Sequence, residues 1–153
     1  MSDLTDNIAA KVILWYDYWK TGLKPAVKYG RKVIFMTQDV LNFVKEKTEA
    51  LMAAPSCSRE AKEAAKAWLD AVGTDKEAEE TKKYIQELEG DIMPIDMLID
   101  FAQSPAGAAV FGDRAQAVAD HAKEIKAGGA KYCDCPACAA AEAILAKKDD
   151  MLK

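Results

Sequence analysis

Apolar residues recur every three or four positions along this chain, and nearly every run stops at a glycine or a proline. Amphipathic helices need that spacing, and Gly and Pro are their usual stops. There is no alternating apolar run and no Asn-Gly or Asp-Gly hairpin turn, so nothing signals strands. The first run, Ile8, Val12, Trp15, Tyr16 and Trp19, ends at Gly22. A long second helix over 25–54 starts at Pro25 and carries the stripe Val33, Thr37, Val40, Leu41, Val44 and Leu51.

Ser58 caps a third helix, with Ala64, Trp68, Leu69 and Val72 inward and Gly73 at its end. Thr74 and Glu77 have capping-box spacing and open a fourth helix, through Tyr84, Ile85 and Leu88 to Gly90. Pro94 separates a short helix over 95–103, and Ser104-Pro105 reads as N-cap and first residue of the next. Asp113 is placed to cap a helix with Val118, His121, Ala122 and Ile125 on its apolar side, closed by Gly128-Gly129. Pro136 starts the last helix, to about Lys148. The reading is all-α: an antiparallel helical bundle with two long N-terminal helices and several shorter C-terminal ones, one domain over 1–153.

With 153 residues, half of them apolar and 30% charged, the chain can bury a real core. The acidic start Met1-Ser2-Asp3 shows no secretory signal, and no apolar run approaches the ~20 residues needed to span a bilayer. The expected location is cytoplasmic, where clustered cysteines serve as metal ligands or redox thiols rather than structural disulfides.

Three cysteines fall within six residues, Cys133-Asp134-Cys135-Pro136-Ala137-Cys138, and a fourth, Cys57, lies far upstream. Cys135 falls at the N-cap of the last helix and Cys138 at its third residue. Free backbone N–H groups and the positive helix end there favour thiolate over thiol. Thiolates are the ligand form for Zn2+ and for an iron–sulfur cluster. The candidate metal ligands are Cys133, Cys135 and Cys138, with Cys57 as the fourth if its loop packs beside the last helix. Zinc sites more often pair two C-x-x-C knuckles, which ranks an iron–sulfur cluster ahead of zinc here. Such a protein would act as an electron-transfer or accessory subunit, since no acid–base set surrounds the thiols.

The alternative is a dithiol oxidoreductase using the C-P-x-C pair, Cys135 attacking and Cys138 resolving. The missing strands exclude a thioredoxin fold. The pair resembles the helical C-x-x-C of the alkylhydroperoxidase and carboxymuconolactone decarboxylase-like family. Glu142 stands where that family has a histidine, so the resemblance carries no role across. Inert reduced thiols remain the plain reading, although Asp134 and Pro136 suit an exposed loop.

His121, the sole histidine, reads as a core or boundary residue, or as the fourth ligand of a Cys₃His site. Asp91, Asp96 and Asp100 flank Pro94; Asp96 and Asp100, one turn apart, read as a carboxylate pair or as part of a solvated face. There is no Glu-x-x-His pair, phosphate loop or Ser-His-Asp pattern. Trp15, Tyr16, Tyr18 and Trp19 put four aromatics in five residues, followed by a basic run from Lys20 to Lys32. That exceeds one helix face and suggests a non-catalytic interaction module: a surface for a protein partner or a second copy, with no membrane or nucleic acid partner.

Overall fold

The computed structural model describes residues 36–153, and every regular element among them is a helix. The helices are α1 (Gln38–Ala53), α2 (Arg59–Ala71), α3 (Glu77–Asp91), α4 (Ile95–Gln103), α5 (Pro105–Phe111), α6 (Ala115–Ala127), α7 (Pro136–Leu145) and α8 (Lys148–Met151). A 3₁₀ turn, Gly112–Arg114, joins α5 to α6. The first predicted helix, its aromatic cluster and the basic run lie outside the described residues.

The second predicted helix needs correcting. Thr37 has extended backbone and its Oγ accepts from Val40 N–H, so it caps the helix that follows. The helix therefore starts at Gln38, and no helix runs continuously over 25–54. Thr37 shares the period of Val40 and Val44, which is why it read as part of the stripe.

The other boundaries follow local chemistry. Ser58 caps Ala61 N–H and Ser104 caps Gly107 N–H, each one residue before its helix. Pro105 and Pro136 occupy first-turn positions that need no N–H donor. The Thr74–Glu77 box does not form. Glu77 instead accepts from Gly73 N–H at 2.6 Å, and Thr74 Oγ donates to Ala71 carbonyl. Asp113 makes no cap; the 3₁₀ turn precedes α6.

Two apolar clusters result. The larger packs α1 against α7 and α2 against α3, around Val44, Leu51, Trp68, Tyr84, Leu88 and Ile144. Its centre is polar and fully paired: Trp68 Nε1 donates to Thr81 Oγ1 at 3.0 Å, and Thr48 shares a 3.0 Å hydrogen bond with the Tyr84 hydroxyl. The smaller cluster packs α4 against α6 through Ile95, Leu98, Ile99 and Ala122. Gly107 lets α5 turn tightly onto α4, because a β-carbon there would lie 1.9 Å from the Phe101 carbonyl oxygen. Met93 and Cys133 pack against both clusters, so the cysteine segment lies along the seam.

Candidate metal centre

The segment before α7 is fixed by a two-residue antiparallel pairing. Ile95 N–H donates to Lys131 carbonyl and Cys133 N–H to Met93 carbonyl, both at 2.9 Å. This short ladder places Cys133 over the α3–α4 kink. Pro136 then starts α7, with Cys135 as N-cap and Cys138 on its first turn. The sulfurs of Cys133, Cys135 and Cys138 come within 4.8 Å of one another.

Two of these sulfurs are each served by one backbone N–H. Cys135 N–H approaches the Cys133 sulfur at 3.4 Å, and Cys138 N–H approaches the Cys135 sulfur at 3.5 Å. Such donors stabilise sulfur that carries negative charge.

The thiols are not equivalent. Burial pushes Cys138 up to about 12, and it pushes Cys133 up as well. Burial also raises Cys135, but the Ser56 hydroxyl, the Cys138 N–H and the neighbouring thiols outweigh it and leave Cys135 below its ordinary value. The helix start thus holds one acidic thiol beside two reluctant ones.

The loop carrying Cys57 does reach α7, yet it delivers Ser56. Ser56 Oγ accepts from Ala137 N–H at 3.3 Å, and its hydroxyl helps to lower the Cys135 thiol. The Cys57 sulfur lies outside the group of three and faces the Ser58 carbonyl at 3.5 Å. Burial raises its thiol too.

His121 corrects its sequence reading. It is about half exposed, at 53%, so it is not a core residue and stands at the edge of the apolar side. Its Nε2 lies 2.7 Å from Asp134 Oδ2, the residue between the first two cysteines. Of the aspartates around Pro94, Asp91 accepts from Ser58 Oγ and Asp96 pairs with Lys126.

Beside the thiols an open cleft of about 640 Å³ runs between α6 and the cysteine segment. Cys133, Cys135 and Cys138 line one end; Arg114 and His121 line the α6 side; Met93, Leu98, Phe111 and Val118 form an apolar wall. Sequence reasoning missed Ser56 and Arg114, which reach the site only through tertiary packing.

The raised groups set an alkaline limit. Cys57, Cys133, Cys138 and Tyr84 all ionise later in the folded chain than in the unfolded one. Their contribution is complete below the ordinary thiol value of 9.0 and is lost as pH rises through the folded values, about 12 for Cys138 and Tyr84. Urea midpoints under reductant should fall steadily above pH of about 9, and Cys138→Ala should shallow that fall. A flat midpoint to pH of about 11 would show that these thiols are not held protonated by the fold.

No described helix is long and apolar enough to cross a membrane. No family model matches the chain, and no curated protein or solved structure matches it either.

Proposed function

We propose that this protein binds a single thiophilic metal ion of the zinc class through the thiolates of Cys133, Cys135 and Cys138, with the fourth position opening on the cleft. One observation carries this reading: three sulfurs lie within 4.8 Å of one another, and backbone N–H groups face those of Cys133 and Cys135. Tetrahedral zinc with bonds of about 2.3 Å holds its sulfurs about 3.8 Å apart, a spacing this group reaches by small side-chain rotations. An iron–sulfur cube would spread its cysteines around a body of several metal and sulfide atoms, which favours one ion over the cluster ranked first from sequence.

Zinc supplies Lewis acidity and no electron transfer. The role that fits is an accessory or ligand-binding protein in which the metal ties the start of α7 to the α3–α4 kink. His121, oriented by Asp134, stands at the rim as a hydrogen-bonding group for whatever occupies the fourth position.

Native mass spectrometry of anaerobically reduced protein tests the reading. One zinc per chain should be retained against a competing chelator, and bound zinc should raise the melting temperature. Metal-free chains at equimolar zinc, or chains isolated with iron and sulfide, would overturn it.

A second reading, dithiol exchange, is favoured by the position of the pair at the start of α7, Cys135 at the N-cap and Cys138 in the first turn with their sulfurs within 4.8 Å. The Cys135 thiolate would attack a substrate disulfide and expel one thiolate. Cys138 would then give up its proton, close the Cys135–Cys138 disulfide and release the second. Iodoacetamide should label Cys135 well before Cys138 at neutral pH; equal rates would remove this reading.

A further inference from the structure

We infer that the cleft beside the three thiols binds a small organic anion, a carboxylate on an apolar body, with Arg114 as its charge partner. This deepens the metal reading and rests on it in one respect: the ion's fourth position would be reached from this cleft.

The volume of about 640 Å³ suits a small-molecule site rather than a water pocket. The wall of Met93, Leu98, Phe111 and Val118 supplies apolar surface for the body of a ligand. Charge decides its other end. The lining also carries two carboxylates, Asp91, bonded by the Ser58 hydroxyl, and Asp134, bonded by His121; both keep their charge, so a ligand's anionic end must sit against Arg114 rather than beside them. Arg114 is exposed and enters no ion pair among the described residues. Arg114 and His121 both line the cleft.

A guanidinium with unused donors at the mouth of an apolar cleft favours a planar carboxylate, which it can grip through two parallel hydrogen bonds. An uncharged ligand of the same shape would leave it unanswered. Arg59, by contrast, is already paired with Glu63 at 2.9 Å and is not among the residues lining the cleft, so it serves as a control.

Titration calorimetry of the full chain, zinc-loaded, with phenylacetate tests this. A Kd of about 1 mM or tighter is expected for a ligand of that size. Phenylacetamide, the neutral counterpart, should bind at least about tenfold more weakly, as should phenylacetate to Arg114→Gln, while Arg59→Gln should match the parent. Equal binding of acid and amide, or an unaffected Arg114→Gln, would overturn the anion site. Zinc retained without any phenylacetate binding overturns this inference and leaves the metal reading intact. Failure to retain zinc overturns the metal reading, and phenylacetate binding to the metal-free chain then decides the cleft alone.

Discussion

Trp68→Ala should cost about 3–5 kcal/mol, the largest loss expected from any single truncation in the larger cluster. The indole is fully buried, its ring stacks on Tyr84 at 5.4 Å, and its N–H has one partner, the buried Thr81 hydroxyl. Removing it opens a cavity between α2 and α3 and leaves that hydroxyl without its donor. Both effects count against a total of about 5–15 kcal/mol for a typical domain. Trp68→Phe should lose less, because ring volume is largely kept and only the donor disappears. Urea unfolding followed by circular dichroism reads both. A cost below about 1 kcal/mol for Trp68→Ala would mean that α2 and α3 do not close on this ring.

Cys138→Ser should weaken zinc binding by about a thousandfold and abolish the rise in melting temperature that zinc gives the parent. Thiolate sites bind zinc with an apparent free energy of about 10–16 kcal/mol, so losing one of three thiolates removes several kcal/mol. A serine hydroxyl fits the space but does not ionise to a soft ligand. Cys57→Ser is the internal comparison. With its sulfur outside the group and facing the Ser58 carbonyl, its loss should change zinc affinity by less than a few fold. If Cys57→Ser cost as much as Cys138→Ser, the Pro55–Ser58 loop would have to swing its cysteine inward, and Cys57 would be the fourth ligand.

The helical fold and much of the cysteine site can be read from local chemistry. Ser58, Ser104, Pro105 and Pro136 announce their helices because caps and first-turn prolines act within three or four residues. For the same reason Cys135 and Cys138 fall at N-cap and first turn as their spacing requires. Features set by distant residues are not legible in this way. The pairing of Met93–Ile95 with Lys131–Cys133 involves too few residues to leave an alternating pattern. Thr48 and Tyr84 are 36 residues apart and find each other only when α1 meets α3.

His121 was misplaced by a rotation. The apolar side of α6 centres on Ala119 and Ala122, whose small side chains signal burial weakly, and His121 stands about 100° around from Ala122. Thr37 misled for another reason: threonine serves equally as a stripe member and as a cap. Ser56 entered no motif, and its role appears only once the loop after α1 meets α7.

The metal reading stands or falls on what surrounds one ion. X-ray absorption at the zinc edge of anaerobically reduced, zinc-loaded protein measures that directly. The three-thiolate site predicts three sulfur neighbours at about 2.3 Å and one lighter oxygen or nitrogen neighbour, with the sulfur count falling to two in Cys138→Ser. A shell of four sulfurs, or a shell of oxygen and nitrogen alone, would contradict it.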